Sequence, residues 1–85
     1  MKYRLLYQIW SYDVVTGMRY REEQLEAPDD EMAKTLLSQF SFNLKERVHR
    51  LQIKAFFIRE LFQAGEHPDE DRLVIRLDTA STWTP

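Results

Sequence analysis

Histidine is the natural place to look for chemistry, and the chain has only His49 and His67. A hydrolytic triad needs a nucleophile, an imidazole base and an orienting acid within reach of one another. His49 stands in Arg47-Val48-His49-Arg50, but no serine lies in a glycine-flanked elbow that would present it as a nucleophile. The segment Glu66-His67-Pro68-Asp69-Glu70-Asp71 concentrates oxygen and imidazole donors that could hold a divalent cation. Calcium loops also need a glycine at the bend and a distal bidentate acid, and neither follows, so this run reads as a polar connection. Gly17 and Gly65 are the only glycines and lie far apart, which excludes a glycine-rich phosphate cradle. Paired carboxylates for glycoside chemistry need a deep cleft, which so thin a domain does not form. The expectation is a non-enzymatic protein with no catalytic residue, cofactor-binding residue or metal ligand.

Aromatic and basic residues offer a different chemistry. Lys45, Arg47, Arg50 and Lys54 form a basic run offset by Glu46. Single strands of nucleic acid bind where aromatic platforms stand beside such cations, and a sheet face with Trp10, Tyr12 and Phe56 near Arg50 and Lys54 qualifies in kind. Against this stand a net charge of −2, a pI near 5.6 and the absence of a Gly-Phe-rich third strand. The acids gather elsewhere, at Glu22, Glu23, Glu26, Asp29, Asp30 and Glu31, and again in residues 66–71. Solvated loops and helix ends account for such runs most simply.

The elements that must position these groups follow from periodicity. Residues 2–12 alternate, with Tyr3, Leu5, Tyr7 and Ile9 on one side and Arg4, Leu6, Gln8, Trp10 and Tyr12 on the other, which predicts a strand. Asp13 to Gly17 supplies turn chemistry, and residues 18–26 return as the second strand of a hairpin. Pro28, a capping Asp29 and an acidic first turn start a helix whose stripe is Ala33, Leu36, Leu37, Phe40 and Leu44. Ser41-Phe42-Asn43 is poor helix material. Residues 48–62 fit either a helical heptad or an alternating strand. A continuous helix over 30–64 would be roughly three times the usual length, so a strand is expected. A polar loop leads to a last strand over 72–78, and residues 79–85 read as a frayed tail.

The expected fold is α+β: ββαββ, a four-stranded, mostly antiparallel sheet with one helix packed on one face. Eighty-five residues make one domain over 1–85. Without cysteine it has no disulfide, in keeping with a reducing cytoplasm, and no long apolar run reads as a signal peptide or a membrane span. If Tyr3, Leu5, Tyr7, Ile9, Leu51, Ile53, Ala55, Phe57, Leu73, Ile75 and Leu77 face the helix, the other face inherits an apolar surplus. Leu6, Trp10, Tyr12, Phe56, Ile58 and Val74 then form a candidate interface of roughly several hundred Å². Burying such a patch is worth several kcal/mol at about 25 cal/mol per Å². The functional expectation is a protein-interaction or homo-oligomerisation module, most simply a homodimer. A tail folding back with Trp83, or a longer helix, would remove the surplus. Single-stranded nucleic-acid binding is the alternative, with Lys45, Arg47, Arg50 and Lys54 as its patch. An acidic inhibitor or nucleic-acid mimic from a mobile element is a third. The layout resembles many small bacterial or phage domains, a likeness of architecture that assigns no residue a role.

Overall fold

The computed structural model describes residues 1–12, 19–77 and 82–83. Strand β1 is Lys2–Trp10 and β2 is Arg19–Glu26; helix α1 is Asp30–His49. Strand β3 is Ala55–Gln63 and β4 is Arg72–Arg76, with a 3-10 turn at Pro68–Glu70 between them. The expected turn at residues 13–17 lies outside the described residues. The four strands form one open antiparallel sheet in the order β2-β1-β3-β4, and the single helix makes this a ββαββ α+β fold. Residues 82–83, expected in a frayed tail, pair with Phe56 and Ala55 of β3 as a short strand β5.

Helix α1 starts as its residues dictate. The Asp29 carboxylate accepts from the Met32 N–H at 2.9 Å, and Asp30 and Glu31 place negative charge against the positive end of the dipole. The helix then runs through Ser41-Phe42-Asn43 to His49, further than those residues suggest. Leu44 is buried and Val48 packs on the core, so the apolar stripe outweighs weak local propensity. The end is a Schellman turn without its usual glycine. The Leu51 N–H bonds the Val48 carbonyl and the Gln52 N–H that of Arg47, with Leu51 at φ +60°. Residues 48–49 are therefore helix and 50–54 a connection, which corrects the strand expected from residue 48. Leu51, expected to face the helix, is 73% exposed.

That connection resets the alternation of β3. Ile53 is fully buried before the strand begins, so its parity does not carry into the strand. Phe56 and Ile58 pair with Ile9 and Tyr7 and lie in the core, 0% and 1% exposed, under the helix. Both were expected on the interface, and neither is available to a partner. Phe57, expected inward, pairs with Gln8 on the open face. A register shift opposite Leu6 and Tyr7 leaves Arg59 as the extra residue, and Leu61 returns to the core. A second shift, against β4, puts Leu73 beside Phe62 on the open face and packs Val74 against the core. This reverses the expected placing of Leu73 and Val74. The core is thus Tyr3, Leu5, Ile9, Phe56, Ile58 and Leu61 of the sheet against Ala33 and Leu44 of the helix. Among the described residues no helix is long and apolar enough to cross a membrane.

Candidate functional site

The strand register sorts the charges along the direction of the strands. At one end the start of β1 meets the end of β2 (Lys2 opposite Glu26), the Met1 ammonium bonds the Ala27 carbonyl, and helix α1 begins. The 64–71 loop joins the same end, because the Ala64 N–H bonds the Lys2 carbonyl. Both acidic runs therefore lie together. At the other end Ile9 stands opposite Arg19, the Lys54 N–H bonds the Trp10 carbonyl, and the helix finishes. Arg19, Arg21, Lys45, Arg47, Arg50 and Lys54 lie towards that end, with Glu46 among them and Glu22 and Glu23 following Arg21 along β2. Sequence reasoning named four of these cations; Arg19 and Arg21 join them only through the hairpin register.

The open face is a mosaic of rings and cations. At the basic end the Lys54 ammonium sits 5.0 Å from the Trp10 ring centre and 5.5 Å from that of Tyr12. Arg59 lies 5.5 Å from the Phe57 ring centre and donates through Nε to Gln8 Oε1. Arg4 lies 5.7 Å from the ring centre of Phe62. Each such contact is worth about 0.5–1 kcal/mol where water reaches it. Lys54 and Arg59 form no ion pair among the described residues, whereas Arg4 is paired with Glu22 and Asp71, and Arg76 with Glu60. Arg4, Arg72 and Arg76 are thus neutralised in place, while among the described residues Lys54 and Arg59 are not.

Of the expected interface, Leu6, Trp10 and Tyr12 lie on or beside the open face, while Phe56, Ile58 and Val74 do not. Tyr20, Phe57, Phe62 and Leu73, which sequence reasoning missed, complete it. One signal for Phe57 and Phe62 was present. Ile58-Arg59-Glu60-Leu61 sets two charged residues between two apolar ones, an in-out-out-in pattern that alternation alone does not produce.

At the acidic end, hydrogen bonds tie the layers together. Asp30 Oδ1 accepts from the Tyr3 hydroxyl at 2.8 Å and from Arg72 Nη2 at 2.8 Å. The Arg72 guanidinium, then the Tyr3 hydroxyl, holds the Asp30 carboxyl below the ordinary carboxylate range. Burial, then the Asp30 charge, pushes the Tyr3 phenol up. Asp71 is also held low, first by the Gly65 N–H, which donates to it at 3.0 Å, and then by Arg4. Gly65 is required there: a β-carbon would come 2.6 Å from that of Glu70. Among the described residues no three histidine or carboxylate side chains converge on a point that could hold a metal ion. These carboxylates are fastened to cations and backbone in structural bonds.

No family model, curated protein or solved structure matches the chain.

Proposed function

We propose that this domain binds single-stranded nucleic acid on the basic half of its open sheet face. The observation that carries the reading is the Lys54 ammonium held over both Trp10 and Tyr12, at the end where the unpaired cations gather. Bases stack on exposed rings for about 1–3 kcal/mol each, and neighbouring cations neutralise the phosphates between them. Trp10 and Phe57 supply ring faces with Lys54 and Arg59 beside them, while Arg19 and Arg21, opposite Ile9 and Tyr7, and Lys45, Arg47 and Arg50 of the helix and its end add positive charge from the helix side of the same end. The net charge of −2 is no obstacle, because Glu26, Asp29, Asp30, Glu31 and the acids of residues 66–71 lie at the opposite end of the strands from Lys54. At physiological salt charges are screened within about 8 Å, so the two ends act separately on a ligand.

Fluorescence anisotropy of labelled single-stranded oligonucleotides of mixed sequence tests this. Binding is expected at micromolar protein, with an affinity that falls linearly on a log–log salt plot by about 0.7 per phosphate neutralised. No salt-dependent binding at tens of micromolar would end the reading.

Self-association through the same face is the second reading, favoured by Leu6 and by Leu73, which is 40% exposed at the other sheet edge. The loss of Phe56 and Ile58 to the core, with Val74 packed against it, removes half of the patch that motivated it. Sedimentation of the free protein separates the two readings, since the first needs no dimer.

A further inference from the structure

Strand β2 is an edge of the sheet, paired with β1 alone among the described strands. We propose that it pairs with β2 of a second copy of this chain, antiparallel about a two-fold axis that passes between Glu22 and its counterpart. The inference is independent of the nucleic-acid reading, because such pairing leaves both open faces uncovered.

The hydrogen bonds at the start of the sheet fix which β2 residues have backbone groups to offer. The Met1 ammonium donates to the Ala27 carbonyl at 2.9 Å and the Ala27 N–H to the Met1 carbonyl at 3.0 Å, so this pair exchanges both bonds. Bonding alternates along an antiparallel pair, and β1 and β2 keep one register throughout. Leu25, Glu23, Arg21 and Arg19 therefore bond β1, while Tyr20, Glu22, Gln24 and Glu26 turn their N–H and C=O groups outward. Unpaired groups of this kind are a template for another strand. An antiparallel partner must set one outward-bonding residue opposite another. For a second β2, that allows only registers centred on a single residue.

The charges choose among those registers. Centred on Glu22, the strands set Arg21 opposite Glu23 twice, at the close side-chain spacing of a non-hydrogen-bonded pair. Arg19 then lays its aliphatic stem over the half-buried Leu25, and Tyr20 stands opposite Gln24. The one like pair, Glu22 with its counterpart, falls at the wider spacing, and each Glu22 already holds Arg4 at 2.7 Å. Centred on Arg21 or on Glu23, the strands would set that residue against its own charge at the close spacing. Centred on Tyr20 or on Gln24, Arg19 would oppose Arg21 or Glu22 would oppose Glu26. Charged residues commonly guard an edge against pairing; this order of signs guards against the neighbouring registers and admits one. The sorting of charge along the strands favours the same arrangement, because each copy's basic end comes to lie beside the acidic end of the other.

Sedimentation equilibrium of the intact protein at tens of micromolar, free of nucleic acid, is expected to show a dimer. In Arg21→Glu an acid faces Glu23 at both crossings, and in Glu23→Arg a base faces Arg21 at both. Each variant, with folding checked by circular dichroism, is expected to dimerise about tenfold or more weakly. The doubly substituted Arg21→Glu/Glu23→Arg chain exchanges the signs and is expected to dimerise like the parent. An equimolar mixture of the two single variants is expected to form a mixed dimer, which also shows that both are folded. A monomeric parent overturns the inference, and so does an open-ended assembly. A dimer that persists in both single variants is held by another surface, the open face included, and overturns it too. Single variants that dissociate without rescue in the double variant or the mixture overturn the pairing of Arg21 with Glu23 and with it the register. Oligonucleotide binding is read in its own titration, so failure here leaves the nucleic-acid reading standing.

Discussion

The two faces of the sheet come from the same strands and are opposite in what they do with an aromatic ring. Beneath the helix, Phe56 is sealed among aliphatic side chains, and the rings of Tyr7 and Phe40 meet edge to face with centres 5.0 Å apart. On the open face, Trp10, Phe57 and Phe62 each lie under a cation and keep part of their surface in water. The first arrangement spends a ring on stability; the second keeps it available to a ligand. Adjacent phenylalanines, Phe56 and Phe57, fall on opposite sides of that division.

Their replacement is the sharpest way to break the comparison. Phe56→Ala should destabilise the domain by about 3–5 kcal/mol, which for a chain of this size approaches complete unfolding. Phe57→Ala should cost far less and weaken oligonucleotide binding instead. Urea denaturation of both variants checks this, and similar losses would mean that the faces are not distinct.

Next in size is Trp10→Ala. Truncating it removes one stacking platform and one of the two rings under the Lys54 ammonium, so the affinity for mixed-sequence single strands should fall by about tenfold or more. The unfolding midpoint should move little by comparison. A large loss of stability with unchanged affinity would make Trp10 a structural residue and empty the open face of its proposed role.

The covered face has its own test in acid. Asp30 joins the start of the helix to Tyr3 and Arg72, and its carboxyl is held below the ordinary range by Arg72 and then Tyr3. A group whose pKa is lower folded than unfolded contributes stability above its unfolded value and loses it as pH falls through the folded one. Asp30→Asn should therefore unfold earlier than the parent at neutral pH, by a margin that closes on acidification through the carboxylate range. A margin that does not change with pH would show that the ionised form of Asp30 contributes nothing.

What the sequence made legible follows the same division. The hairpin, the helix start and the last strand announce themselves through alternation, the Pro28-Asp29-Asp30-Glu31 run and β-branched residues, because each is a local effect. The inward side of β1 was legible too, since Tyr3, Leu5, Tyr7 and Ile9 alternate without interruption. The faces of β3 and β4 were not. Alternation predicts a face only from a known starting residue with no bulge on the way, and β3 violates both conditions, at its entry after Ile53 and at Arg59. The candidate site inherited that error through Phe56 and Ile58. The gathering of Arg19 and Arg21 with the helix-end cations depends on which strands neighbour one another, a property of the whole fold.

The entry to β3 also yields the smallest prediction. Helices that close with a Schellman turn place glycine at the left-handed position because it has no β-carbon to clash with the carbonyl that follows. This chain places Leu51 there, at φ +60° and 73% exposed, so the side chain adds strain and gains little packing. A non-glycine residue in that region costs about 1–2 kcal/mol. Glycine would remove that cost and lose part of the gain to the greater freedom of the unfolded chain. Leu51→Gly should thus raise stability by about 0.5–1 kcal/mol, visible as a small rise in the urea midpoint, with oligonucleotide affinity unchanged. Because the same turn fixes where β3 begins, it also decides that Phe56 points inward and Phe57 outward. Unchanged affinity in a more stable Leu51→Gly would show that the turn's geometry, which the substitution preserves, sets the two faces apart. A fall in both stability and affinity would mean that the leucine side chain itself is needed.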